Sequence, residues 1–322
     1  GLLCWLAIEK LGVTSLHVYM DDFFGWDFAD NLVYFHGSLR PRKQVQLLLF
    51  WDTIRCPYED RKQEHGFPLK IIGFWVDIVE GSISLHQSSI DNIVLKINTF
   101  LATPRRRPTL KDFQHLAGHL NWLLNVLPWG KPATFELYKK TSGKTIPHAG
   151  ITINKNITEE LTWLHDIIPR AVGIRFVDSL HWKDEEADLV MWTDTTLHDG
   201  LAFVFTGHSF FYNIVEPCNL PSSSSSSNSV DIFFLEQIGI LSALYHAAGM
   251  HHPPRRLLIW TDSLDAVSVF SSLSPSNAMH NAPLRAAAKI IIATGIDLRV
   301  QHIAGTENIQ ADLLSRLMFD DY

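Results

Sequence analysis

Three regimes of apolar spacing follow one another along the chain. In the first, LHVYM and FFGWDF (residues 16–20 and 23–28) crowd β-branched and aromatic side chains on either side of an acidic pair. This predicts two β segments joined by a turn, with Asp21 and Asp22 at its tip. RKQVQLLLFWDTI (42–54) then repeats its apolar residues at helical intervals, and LKIIGFWVDIVEGSISL (69–85) alternates in two runs about Glu80 and Gly81, the pattern of a hairpin. From Ser88 the period becomes helical. TLKDFQHLAGHLNWLLNVLP opens on Thr109 with Asp112 three residues on, a capping-box spacing. It carries Leu110, Phe113, Leu116, Leu120 and Leu123 on one face and is stopped by Pro128. A further helix, ITEELTWLHDII, ends at Pro169.

From about residue 181 strand-like and helix-like runs alternate, the pattern of an α/β or α+β sheet domain. ADLVMWTD, LAFVFTG, SFFYNIVEP, RRLLIWTDS and IDLRVQHIAG read as strands, and VDIFFLEQIGILSALYHAA, LDAVSVFSSL and NIQADLLSR as helices. The run SSSSSSNS interrupts this pattern with a polar loop over 221–229 that has nothing to bury. The chain therefore divides at 1–88, 89–180 and 181–322 into a multidomain α/β and α+β protein.

Composition narrows this picture. At 322 residues and 46% hydrophobic the chain can bury more than one core. It holds no apolar run long enough to span a bilayer and no charged-then-apolar leader, so the expectation is an intracellular protein, cytoplasmic or nuclear, with no membrane partner. Cys4, Cys56 and Cys218 are odd in number and widely spaced, which gives neither a disulfide framework nor a zinc site. A first residue of Gly rather than Met leads to the expectation that an N-terminal segment is missing. The net charge of −7 is unevenly placed: the chain before residue 181 is nearly balanced, whereas the part after it carries more than two acids for each base. Any grip on nucleic acid is then expected from Arg40, Arg42 and Lys43 and from Arg105, Arg106 and Arg107, although such clusters are more often solvated surface.

The acids of the last region carry the chemistry. Asp194 and Asp262 fall at the ends of two expected strands, Glu236 inside a long helix and Asp312 in the final one. Each alone reads as a cap or strand-end carboxylate. Packed on one sheet, the four form a cluster whose repulsion needs protons or divalent cations, and hard oxygen ligands of this kind suit Mg²⁺ or Mn²⁺. Two such ions about 4 Å apart support phosphodiester hydrolysis.

Taken in order, WTDTT with Asp194, FFLEQIGILSAL with Glu236, WTDS with Asp262 and HIAGTENIQADLLSR with Asp312 resemble the four acidic motifs of the RNase H domain of retroelement reverse transcriptases. In the last motif His302, Gly305, Asn308 and Asp312 match in order. One departure is that Gly200 lies six residues after Asp194, where the family places its glycine at five. VYMDDFF resembles the family's palm hairpin, LKIIGFWVD its primer-gripping hairpin, and LAGHLNWLLNVLPWGKP the thumb-to-connection helix of the DIRS type, the retrotransposons that use a tyrosine recombinase.

The resemblance implies a partial palm over 1–88, a helical thumb or connection over 89–180 and an RNase H-like mixed-sheet domain over 181–322. It implies an endoribonuclease that cleaves the RNA strand of RNA–DNA hybrids, with Asp194, Glu236, Asp262 and Asp312 as catalytic metal ligands. Asp21 and Asp22 become metal ligands of a polymerase remnant. RNA-directed DNA polymerase activity enters by family only, because the third palm aspartate and the fingers are missing from residues 1–20. The expectation is a fragment that needs a missing N-terminal polymerase segment to polymerise. The alternative is a noncatalytic decayed or domesticated remnant that binds nucleic acid or a protein partner; an integrase-like nuclease fits the spacing less well. His115 with His119, and His251 with His252, read as ordinary helix and loop pairs without a third ligand. Trp51, Trp75, Trp122, Trp163 and Trp192 read as core rather than base-stacking residues, and Trp26, just past the acidic pair, as the exception.

Overall fold

The computed structural model describes residues 1–170, 174–175, 182–214, 231–275 and 278–322; the expected loop at 221–229 and Cys218 lie outside the described residues. The protein is a mixed α/β chain that divides into two compact units, Gly1–His86 and Gln87–Tyr322.

The first unit runs α1 (Leu2–Leu11), β1 (Leu16–Tyr19), β2 (Asp22–Gly25), β3 (Leu32–Phe35), β4 (Ser38–Pro41), α2 (Arg42–Ile54), β5 (Leu69–Ile71), β6 (Phe74–Asp77) and β7 (Ser82–Leu85). Its core gathers Cys4 and Ala7 of α1, Leu16 of β1 and Leu47, Leu48 and Trp51 of α2. The helical spacing of 42–54 is thus a real buried face. The expected two-run hairpin over 69–85 is instead a three-stranded antiparallel meander. Ile72 (φ 50°) and Gly73 (φ 86°) take left-handed backbone and fold the first run back on itself. Ile72 is a β-branched residue in that region, so Gly73 was the one local sign of the turn.

The second unit opens with α3 (Gln87–Leu101), α4 (Leu110–Leu123), α5 (Phe135–Thr141), α6 (Lys155–Ile167) and the two-residue β8 (Ile174–Arg175). Thr109 caps α4 as its spacing predicts: the Thr109 hydroxyl accepts from the Asp112 amide at 3.2 Å and Asp112 Oδ2 accepts from the Thr109 amide at 2.8 Å. All five apolar residues expected on its face are buried. There follow β9 (Leu189–Thr195), β10 (Gly200–Phe205), β11 (His208–Asn213), α7 (Ile232–Ala248), β12 (Arg256–Thr261), α8 (Leu264–Ser272), α9 (Ala278–Thr294), β13 (Asp297–His302) and α10 (Ile309–Ser315).

Five of these strands form one sheet in the order β11-β10-β9-β12-β13. The hairpin pairs β9–β10 and β10–β11 are antiparallel, and the pairs β9–β12 and β12–β13 parallel. Both faces are covered at β10, whereas the edge strand β11 is exposed along its length. On β10, Phe203 and Phe205 point into the large core with Met191, Ile240, Leu244, Leu257, Ile259 and Val300, while Ala202 and Val204 pack on Ala311 and Leu314 of α10. A strand buried on both sides reads as an unbroken apolar run, which is how LAFVF appears in the sequence.

Helix α9 has no counterpart in the sequence reading. Its first half, AMHNAPLR, mixes polar residues with an internal Pro283, so the helical period shows only in the second half. It packs on α7 and on the turn at Pro128–Thr134. There the buried Asn281 amide donates to Pro132 O at 2.8 Å and to Glu160 Oε1 at 2.9 Å, and Glu160 Oε2 accepts the Glu136 amide at 2.9 Å. Burial raises the Glu160 carboxyl to about 7 against these hydrogen bonds.

Candidate active site

The sheet delivers acids to one end. On β9 the side chains alternate, so Met191 enters the large core while Trp192 packs on the opposite face with Ala311 and Leu314. Asp194, two residues beyond Trp192, shares that face and is buried at 5% exposure. Its Oδ2 accepts the hydroxyl of Ser315 on α10. At the other end of α10 the buried Asn308 amide donates to Thr193 O at 3.0 Å. The helix carrying Asp312 is therefore pinned to the strand carrying Asp194 at both of its ends.

The glycine displaced by one residue causes no slip. Thr196 Oγ1 accepts from the Asp199 and Gly200 amides at 3.1 and 2.9 Å, which closes the longer turn, and Asp194 pairs with Ala202 in the ladder. Gly200 itself is required by close approach: a Cβ there would stand 2.5 Å from Tyr212 O.

Strand β12 runs parallel to β9 with Trp260 opposite Trp192, and each strand has its acid two residues further on. Asp262 is exposed. The loop after β13 lies against it, since a Cβ on Gly305 would come 3.3 Å from Asp262 Oδ2. His302 closes β13 opposite Thr261, and its side chain is exposed. Glu236, in the second turn of α7, is 8% exposed, and its Oε2 is buried with no hydrogen-bond partner among the described residues.

The electrostatics link all four carboxylates. Burial first, then the charges of Asp262 and Asp312, raise Asp194 to about 6; the Ser315 hydroxyl and Arg316 oppose the rise. Burial first, then Asp194 and Asp262, raise Glu236 to about 8. Carboxyls raised by burial and by neighbouring negative charge hold protons near neutrality or exchange them for cations. Two of the acids are engaged within the protein, Asp194 with Ser315 and Asp312 with Arg316, whose Nε donates to Asp312 Oδ1 at 2.6 Å. Among the described residues no three His, Cys, Asp or Glu side chains are gathered as a metal-holding group. The donor set nonetheless fits a hard divalent cation: carboxylates throughout, with the buried, unpartnered Oε2 of Glu236 among them.

The other expected residues sit elsewhere. Asp21 and Asp22 belong to the first unit, with Met20 (φ 54°) and Asp21 forming the two-residue turn and Asp22 opening β2 opposite Tyr19. Both are exposed and line an open concavity of about 1080 Å³ with Met20, Trp26, Lys43 and Lys62. Arg40 departs from the surface expected of it: it is buried, with Nη2 3.3 Å from Asp60 Oδ1, so it holds β4 in place and is not free for phosphate. Lys43 lies 4.6 Å over the exposed Trp26 ring, and Arg42 Nε donates to Asn31 at 2.9 Å. Arg105 is exposed; Arg106 donates to Thr158 and Arg107 to Gly150 O across the same helical region. Trp51 is buried as expected, whereas Trp75, Trp122, Trp163 and Trp192 are only partly so. Ser315 and Arg316 were not singled out as site residues. Their spacing of three and four from Asp312 on a helix was the available signal.

No protein-family profile matches the chain, and no curated protein does. Solved structures do. A foamy viral protease-reverse transcriptase in complex with double-stranded DNA is similar at 13% identity and a TM-score of 0.40, over 94% of this chain and 48% of that one. The chain thus spans about half the length of the viral protein. RNase H1 from Halobacterium salinarum NRC-1 is similar at 16% identity and a TM-score of 0.31, over 42% of this chain and 98% of that one. The N-terminal RNase H domain of a Mycobacterium tuberculosis protein, solved as a fusion with maltose-binding protein, is similar at 14% identity and 0.28, over 41% of this chain and 94% of that one.

Proposed function

We propose that the second unit is a metal-dependent endonuclease that hydrolyses the RNA strand of RNA–DNA hybrids, within a piece of a retroelement reverse transcriptase. The observation that carries this reading is the buried, unpartnered carboxylate oxygen of Glu236, a carboxyl that Asp194 and Asp262 are near enough to raise, while Asp262 and Asp312 are near enough to raise Asp194. A buried acidic oxygen without a donor costs stability and is retained where something else satisfies it.

Divalent cations held by these four residues would supply an activated water and charge stabilisation of the departing 3′ oxygen. The protein's own residues prepare the site. Ser315 fixes the orientation of Asp194, Asn308 fixes the level of α10 against β9, and the close approach at Gly200 sets β11 and α10 against the same turn. Glu236, raised to about 8, holds a proton at neutral pH and gives it up when positive charge arrives. Selectivity for a hybrid would come from 2′-hydroxyls and duplex shape and not from base sequence. Arg42, Lys43 and Arg105 to Arg107 are proposed to add phosphate contacts, with Arg40 excluded by its burial. Asp21 and Asp22, exposed at a hairpin tip beside a wide concavity, are proposed as a polymerase-type metal site of the first unit.

The test is cleavage of an end-labelled RNA–DNA hybrid by the full chain with Mg²⁺ and then Mn²⁺, beside Asp262→Asn. Cleavage confined to the RNA strand and reduced at least about a hundred-fold in the variant is the expected result. The engagement of Asp312 and Asp194 within the protein favours a second reading, a noncatalytic remnant that binds nucleic acid or a protein partner. Folded protein that binds hybrid and leaves it intact with both ions would establish that reading instead.

A further inference from the structure

Arg316 is a cation that the fold places inside the acid cluster. It caps the C-terminal end of α10, one turn beyond Asp312, and its Nε donates to Asp312 Oδ1 at 2.6 Å. A pair at this spacing on an exposed helix face is commonplace and contributes little. Three features distinguish this one. Its acid is one of the four linked carboxylates. The guanidinium lies in the field of Asp194 and Asp199 as well as that of Asp312, and it is the basic group that opposes the rise of the buried Asp194. The side chain is also half exposed, at 53%, and the Nε bond uses one of its five N–H donors.

We infer that Arg316 is a competing counter-ion of the site: its guanidinium holds the Asp312 carboxylate against divalent cations until the phosphate backbone of a bound nucleic acid takes the guanidinium away. The inference rests on the four-carboxylate reading above. A cation arriving at Asp312 Oδ1 must displace a charge-assisted hydrogen bond, and two positive charges at one carboxylate repel. A phosphate offers a guanidinium the same forked geometry that a carboxylate does, so substrate accepts what the cation displaces. Cation loading and nucleic-acid binding are thereby coupled, and by reciprocity each strengthens the other.

The experiment uses the full chain as wild type, Arg316→Gln, Arg316→Lys and Asp312→Asn, with two readouts that do not depend on cleavage. The first is the rise in unfolding temperature against Mn²⁺ concentration without nucleic acid. The second is hybrid binding without divalent cation at several salt concentrations. Arg316→Gln is expected to move the Mn²⁺ midpoint about three-fold lower, with Arg316→Lys between it and wild type. It is also expected to reduce the salt slope of hybrid binding by about one. In the Asp312→Asn background the same change should leave the midpoint where it was. A wild type that Mn²⁺ stabilises with the same midpoint as Arg316→Gln overturns the competition. A lowered midpoint with an unchanged salt slope overturns the hand-over to phosphate. If Mn²⁺ stabilises neither protein, the four-carboxylate reading itself fails and this inference falls with it.

Discussion

At the residue scale Glu236 is the most informative side chain. Its carboxyl is buried, one oxygen lacks a donor, and burial together with Asp194 and Asp262 lifts it to about 8. At pH 7 it is therefore mostly protonated, while Asp194, raised to about 6, is mostly ionised. Cations bind carboxylates and not carboxylic acids, so loading the proposed site would expel the Glu236 proton. Titration of Mn²⁺ into the full chain at pH 7, in buffers of different ionisation enthalpy, is expected to show about one proton released per chain. Glu236→Gln should abolish the release. Binding with no proton release would show that Glu236 does not meet the ion. The four acids stand out in the sequence because each sits in a short stretch of distinctive residues. The resemblance gave their order, but it did not reveal that Asp312 is engaged by Arg316 or that Arg40 is buried and paired with Asp60. Those depend on partners distant in sequence or a helical turn away, and apolar periodicity carries no information about them.

At the element scale the site depends on how α10 is seated. This helix has only seven residues and buries Ala311, Leu314 and Ser315 against β9 and β10. A helix so short has little intrinsic stability, so side-chain anchors decide its position. Asn308 supplies one of them, through the buried bond to Thr193 O at 3.0 Å. Asn308→Ala leaves that carbonyl without its donor and is expected to cost roughly 1–3 kcal/mol in urea unfolding. Under the proposed function, hybrid cleavage should fall further than the lost stability accounts for, because Asp312 moves with the helix. Full cleavage from a destabilised variant would show that Ser315 alone positions it. Most elements were readable where one face is buried and the other wet, as in α2 and α4. The failures have particular causes: Ile72 in a left-handed turn split an expected strand, and Pro283 with its polar neighbours hid the first half of α9.

At the scale of the whole molecule, the three acids with the largest upward shifts lie in the second unit: Glu160 at about 7, Asp194 at about 6 and Glu236 at about 8. In each case burial is the leading cause. A carboxyl whose pKa is higher folded than unfolded binds more protons in the native state, so its contribution to stability is complete below the unfolded value. It is lost as pH rises through the folded value. The window runs from about 4 to 6 for Asp194 and extends to about 7 for Glu160 and 8 for Glu236. Asp112 and Asp27 work in the opposite direction, being lowered, but they give up their contribution only below the ordinary carboxylate range. Their effect lies outside this window; His119, lowered by burial, opposes the decline inside it, since its neutral folded form gains stability as pH rises toward the ordinary histidine value. The unfolding temperature of the full chain is therefore expected to fall by roughly 5 °C or more between pH 5 and pH 8 in the presence of a chelator. The double variant Asp194→Asn, Glu236→Gln should flatten most of that decline and leave the part due to Glu160 and to Asp297, which burial also raises. Millimolar Mg²⁺ at pH 8 should restore wild type and leave the double variant unmoved, because only ionised carboxylates give the ion a reason to favour the folded chain. A wild-type curve that is level between pH 5 and pH 8 would mean that water reaches these carboxyls in solution, and the site would then have to be read as open and hydrated.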